Sequence, residues 1–261
     1  MRSLWNGALS FGLINIPIHV YSGSEPRAIT FDLLHKKDLS PIRYAKICKA
    51  DGKEIPYEDI VKGYEYKEGE YVVLNDEDFK QASVKKTKTI EIFDFVEEDE
   101  IDTIYYEKPY FLEPGKGAEK PYLLLRESLK KSKKVGLARF VFHTREHVCV
   151  VRPYGNMIIL IQLRYHSEIR DAKGLKIPKD VAASPREVTM ALKLIEQLTA
   201  SFTPKKYHDT YEDELAKIIE QKAKGKKIKV TKVKETKVTH IKDIMGLLKE
   251  SIKKETHRKS A

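Results

Sequence analysis

The chain is poor in the residues that small proteins use as staples: 261 residues hold two cysteines, Cys48 and Cys149, and a single tryptophan. Two thiols make at most one bridge, which excludes a disulfide framework and an all-cysteine zinc site. Long apolar runs are missing too. Met157 to Ile161 is typical of the longest, far below the ~20 residues a membrane helix needs, so no membrane partner is expected. Near the start, Asn15, Pro17 and His19 interrupt what would be the apolar stretch of a secretory signal, and no small-residue cleavage site follows. The chain therefore reads as mature and cytoplasmic.

Charge is what the chain has in quantity. Lys and Arg number 49 against 39 Asp and Glu, a net charge of +10. Its position matters more than its total: residues 222–261 hold 14 basic and 4 acidic side chains, which leaves 35 of each in residues 1–221. A neutral body carrying a basic appendage points to a polyanionic partner, with nucleic acid first and an anionic membrane surface second.

The body opens with β patterning. Ile14, Ile16, Ile18 and Val20 alternate with Asn15, Pro17, His19 and Tyr21, the period of a half-buried strand, with Pro17 at an edge or bulge. Further strands are expected at 71–74, 89–95, 103–112 and 135–142. A hairpin is expected from 147–152 and 157–163, joined through Pro153, Tyr154, Gly155 and Asn156. Short strands at this spacing predict an antiparallel barrel or sandwich. One helix is expected at 121–133, with Leu124, Leu125 and Leu129 on one side. Ser184-Pro185-Arg186-Glu187 is a capping box with proline at the first helical position, and a second helix is expected from Asp209 through Tyr211, Leu215, Ile218 and Ile219. The lysine-rich stretch 224–237 has little to bury and reads as a linker. After it, Ile241, Ile244, Met245, Leu248 and Ile252 follow helical spacing and suit a short helix that docks on something.

Several local motifs invite a chemistry that a turn explains better. Lys49-Ala50-Asp51-Gly52 matches the adenylated-lysine signature of ATP-dependent ligases, but the phosphate-contacting lysine expected downstream of Glu68-Gly69 falls on Val73, and an Asp-Gly turn suffices. His143, His147 and Cys149 lie on strand-like sequence without a fourth ligand. Gly115-Lys116-Gly117 lacks the rest of a phosphate loop. The acids from Glu91 to Glu107 read as a solvated face, whereas Arg126 to Arg152 is predominantly basic.

Taken in order, residues 8–17 (Ala-Leu-Ser-Phe-Gly-Leu-Ile-Asn-Ile-Pro), Phe31 through Leu34-His35-Lys36-Lys37, Ile55-Pro56-Tyr57 with Val61-Lys62-Gly63-Tyr64, Lys108-Pro109-Tyr110-Phe111-Leu112-Glu113-Pro114, Thr144-Arg145-Glu146-His147 and Lys206-Tyr207-His208-Asp209 resemble the prokaryotic Ku family. These are the DNA end-binding proteins of non-homologous end joining. The resemblance implies a mainly β fold with α elements: a Ku-type antiparallel β-barrel core (1–183), a helical arm for dimerisation (184–221) and a basic, partly disordered extension with a short amphipathic helix (222–261). It implies a homodimeric ring threaded by double-stranded DNA ends, recruitment of an ATP-dependent end-joining ligase, no catalysis and no cofactor, and a nucleoid-associated place in the cytoplasm. Some members carry a second cysteine near the position of Cys48, the remnant of a zinc knuckle; here Asp51 stands in that neighbourhood, and no metal is expected.

A sequence-blind end binder works through phosphate contacts. The candidates for the ring lining are Lys36, Arg43, Lys88, Lys108, Arg139, Arg145, Arg152 and Arg164, with Lys224, Lys226, Lys227, Lys229, Lys232 and Lys234 in the tail. Tyr211, Leu215, Ile244 and Leu248 are the candidates for contact with a partner. The alternative is a basic protein that bridges or compacts DNA without being threaded on it, chiefly through its tail.

Overall fold

The computed structural model describes residues 1–25, 29–82, 88–142, 145–178, 183–225 and 244–259. They form two compact units, Met1–Ala172 and Lys173–Ala261. The first holds β1 (Trp5–Phe11), β2 (Ile14–Ser22), β3 (Lys62–Lys67), β4 (Glu70–Leu74), α1 (Asp76–Ala82), β5 (Thr89–Glu97), β6 (Tyr106–Pro114), α2 (Glu119–Ser132), β7 (Lys134–Phe142), β8 (Arg145–Tyr154) and β9 (Met157–Leu163). The second holds α3 (Pro185–Leu198), α4 (Thr210–Ala223) and α5 (Ile244–Lys259).

Seven strands close into a barrel in the order β1-β2-β6-β9-β8-β7-β5, and β3 pairs with β4 as a separate ribbon. The barrel expected from the sequence is present, and every pairing in it is antiparallel except that of β1 with β5. Ile16, Ile18 and Val20 point inward as their alternation requires, while Ile14 stays exposed beside the turn. Pro17 sits at the limit of the β2–β6 pairing, which begins at Ile18 opposite Pro114. Its carbonyl is taken instead by the N–H of Gly115, 2.8 Å away. Gly7 in β1 has a packing reason: a Cβ there would lie 2.3 Å from both the Lys88 carbonyl oxygen and the Trp5 ring.

Helix α2 completes the core. Tyr122, Leu125 and Leu129 lie on one stripe and are buried with the barrel side chains. Leu124, expected on that side, is instead 58% exposed. The Tyr122 hydroxyl donates to the Leu112 carbonyl at 2.7 Å and accepts from the Ile158 N–H at 2.6 Å, pinning the helix to β6 and β9. Its phenol is pushed above the ordinary tyrosine range by burial. Tyr122→Phe strands both backbone groups in a dry interior, so we expect a loss of about 2–4 kcal/mol in chemical unfolding from two unmet partners; a loss under about 0.5 kcal/mol contradicts this role.

The acidic segment after β5 has a structural role that its composition does not reveal. Residues 97–106 run across the outside of the barrel and cover a second apolar cluster, Val135, Val150 and Leu163, with Val96, Ile101, Tyr105 and Tyr106. Arg152 pairs with Glu98. Arg164 donates to the carbonyls of Ile104 (3.1 Å) and Tyr106 (2.7 Å). Two arginines thus tie the segment down as a strap with its acids outward.

In the second unit, the capping box is formed as its sequence requires. Ser184 Oγ accepts from the Glu187 N–H at 3.3 Å, and the Ser184 N–H donates to the Glu187 carboxylate at 2.7 Å. The Asp209 carboxylate caps α4 by accepting from the N–H groups of Tyr211 (2.9 Å) and Glu212 (3.2 Å). Helix α5 packs against α3. No helix among the described residues is long and apolar enough to cross a membrane.

Candidate nucleic-acid interface

Strand register assembles side chains that lie far apart in sequence. Trp5 faces Val20, Ser22 faces Tyr110, Tyr106 faces Leu163, Val148 faces Leu163, Phe142 faces Arg145, and Glu91 faces Arg139. These pairs all belong to one end of the barrel. That end therefore carries Lys88 just before β5, Lys108 at the start of β6, Arg139 near the end of β7, Arg145 at the start of β8 and Arg164 just after β9. Residues 23–88 leave from β2 and return to β5 at this same end. The chain also departs from it toward the second unit. Five of the eight candidates for the lining share one rim, with Lys36 and Arg43 on the segment that rises from it. Glu91, Glu107 and Glu146 lie among them, so the rim is predominantly, not uniformly, basic.

The five are not equally free. Lys88, Lys108, Arg139 and Arg145 are exposed. The Arg139 guanidinium lies over the Phe93 ring, 4.6 Å from its centre, and the Lys108 ammonium is 5.6 Å from the Tyr110 ring centre; both contacts orient a cation while leaving its charge available. Arg164 is already bonded to the strap. Arg152 lies on the barrel side away from the rim, paired with Glu98 and sharing a hollow with Asp99 and Asp102. On the rising segment Lys36 is exposed at a turn, and Arg43 is held 3.4 Å from Glu54. Lys224 pairs with Glu220, while Lys226, Lys227, Lys229, Lys232 and Lys234 lie outside the described residues, as do His143 and Thr144.

Residues 33–42 and 46–55 are built alike. In each, a first residue (His35, Cys48) donates its N–H to the carbonyl five positions on and accepts from the N–H four positions on, at 2.8–2.9 Å. In each, the fourth residue is an aspartate that accepts from the N–H two positions on, Asp38 from Ser40 at 3.1 Å and Asp51 from Lys53 at 3.2 Å. The fifth residue is left-handed, Leu39 with φ 59° and Gly52 with φ 71°. Lys49-Ala50-Asp51-Gly52 is thus the Asp-Gly turn that its sequence suggests, and Lys49 is exposed on it. The Asp51 carboxyl is held below its ordinary range by the Lys53 N–H and then by the Cys48 thiol. Asp38 is held low by the Ser40 N–H and then by His35. With the carboxylates spent inside their own turns, and no group of three His, Cys, Asp or Glu converging among the described residues, the knuckles do not suit a zinc ion. Cys149 points into the barrel core, where burial pushes its thiol far up, and His147 rests against Phe140 with ring centres 5.5 Å apart.

Sequence patterning alone missed two features. Lys37, Lys46 and Lys49 are further exposed cations on the rising segment, and Lys46 sits 4.4 Å from the Tyr57 ring centre. Nor is any described residue between 23 and 88 buried, although Phe31 (63%), Leu39 (69%), Tyr44 (87%), Tyr57 (81%) and Val61 (67%) are strongly exposed. The near absence of polar alternation through 55–74 was the available signal. Among candidates for partner contact, Tyr211 is 72% and Ile244 47% exposed, whereas Leu215 and Leu248 are half-buried.

Comparison with known proteins agrees with this layout. Residues 10–190 match the family model Ku, described as the Ku70/Ku80 beta-barrel domain. The chain is 41% identical over 254 residues to the non-homologous end joining protein Ku of Opitutus terrae, covering 97% of this chain and 91% of that one. It is 40% identical to the same-named protein of Pseudomonas aeruginosa, over 97% and 88% of the two chains. For that of Bacillus subtilis the identity is 39%, over 97% and 82%.

Proposed function

Since the chain belongs to the Ku family, we propose that it binds double-stranded DNA ends without regard to sequence, as a homodimer, in non-homologous end joining. The observation that carries this reading is the basic rim from which the segment 23–88 rises without a core of its own. Contiguous exposed apolar surface on this scale is unfavourable in a free monomer, so a second copy is its natural cover. Two rising segments joined over two rims enclose a space bordered by Lys36, Arg43, Lys88, Lys108, Arg139 and Arg145. Arg152 and Arg164 support the strap, whose outward acids repel phosphate from the barrel's flank.

Phosphate contacts fit this role, because they position a duplex without reporting its bases. The chain's own part in joining is to hold ends; an ATP-dependent ligase seals them, recruited through a surface away from the rim. In a gel-shift comparison at matched salt, a linear duplex should be bound and a closed circle of equal length should not. Equal affinity for the two would overturn threading. Removing residues 222–261 should leave end preference intact, whereas a tail-driven DNA compactor would lose nearly all binding.

A further inference from the structure

Helix α3 is apolar on two sides. Val188, Leu192, Ile195 and Leu198 make one stripe and are 45–60% exposed. Met190, Ala191 and Leu194, with Glu187 and Gln197 at its ends, make the other and are half-buried. The half-buried positions of α5 also fall on one stripe: Met245, Leu248, Ser251 and Ile252. Because α3 and α5 pack together, the covered side of α3 is the side that α5 occupies. The i, i+3, i+7 spacing of Met245, Leu248 and Ile252 is that of a helix seated along a neighbour.

We propose that α5 is a cis-docked anchor: in the assembled protein it stays on α3 of its own chain, so that the lysine-rich segment 226–243 is tied to the arm at both ends. That segment holds seven lysines against two acids. Its 18 residues reach about 60 Å at full extension, and double anchoring confines their charge to a radius well below that. The lysines then act on a duplex held by the same molecule at high effective concentration, instead of sweeping out as a free tail. Meanwhile Lys249, Lys253 and Lys254 remain exposed on the outer side of α5. The second stripe of α3 is left open for other contacts, and the terminal helix is already occupied where its pattern alone had suggested an external partner.

A photo-crosslinking amino acid placed at Leu248, and separately at Ser251, of the full-length protein tests this. Light and heavy isotope-labelled chains are denatured together and refolded as a mixture, then crosslinked and digested. The expected result is a crosslink from either position to the peptide spanning 187–198, joining chains of the same label only. Mixed-label crosslinks at about half of the total would show exchange between subunits and overturn the proposal, as would crosslinks that avoid α3. Mass in solution is measured on the same mixture. A monomeric mass would count against the dimer reading while same-label α3 crosslinks still upheld cis docking. As a second arm, Ile252→Asp should speed amide exchange in 187–197 at least tenfold without changing that mass; unchanged exchange overturns the anchor.

Discussion

Replacing Arg139 and Arg145 together by alanine should weaken binding to a linear duplex roughly 50- to 100-fold at 0.1 M salt and leave the fold intact. Each phosphate neutralised contributes about 0.9 to the slope of log affinity against log salt, so two lost contacts remove roughly 1.8 from that slope and nearly two decades of affinity at 0.1 M. Both side chains are exposed, and surface substitutions of this kind usually stay within about 0.5 kcal/mol in stability. Arg152→Ala is the informative control. It should leave the salt slope unchanged and loosen residues 98–106, because its guanidinium holds Glu98. If Arg152→Ala flattened the slope as much as the double variant, the rim would be misplaced.

An equally large effect is expected at α4. A helix of 14 residues is marginal in water by itself, and among the described residues α4 buries none. Tyr211, Leu215, Ile218 and Ile219 follow one face, which gains its stability from a neighbour. Tyr211→Asp with Leu215→Asp should remove about 3–6 kcal/mol of apolar burial, weakening the dimer by roughly a hundred- to ten-thousandfold. Sedimentation at micromolar concentration should then show a monomer, with DNA-end retention lost alongside. A dimer of unchanged affinity would place the subunit contact elsewhere, the rising segment 23–88 being next.

Legibility in the sequence divides along physical lines. Local signals were read correctly where the responsible contacts are local. The Ser184 capping box is one case. The hairpin ending at Tyr154 and resuming at Met157 is another, although its turn is tighter than expected, with only Gly155 and Asn156 between paired residues. The strand expected from Thr103 starts later, at Tyr106, because Asp102 accepts the Ile104 N–H at 3.0 Å and makes a turn there. Strand β1 carries Asn6, Gly7 and Ser10 and has no β-branched residue to announce it, and its parallel pairing with β5 joins segments nearly 80 residues apart. The candidate interface was legible as a set of cations but not as a place. Only register brings Lys88, Lys108, Arg139 and Arg145 to one rim, and only the strap shows why Arg152 and Arg164 are basic without facing a duplex. The charge surplus of the tail drew attention first, yet the rim belongs to the half of the protein whose charges cancel.

Threading is tested most directly by topology. Protein is loaded on a linear duplex, the duplex is closed into a circle by ligation, and the complex is washed at about 1 M salt, where phosphate contacts contribute little. The account predicts that protein loaded before closure stays on the circle and leaves when the circle is cut, whereas protein added after closure is never retained. Release of the pre-loaded protein at the same salt concentration as from open duplex would contradict it.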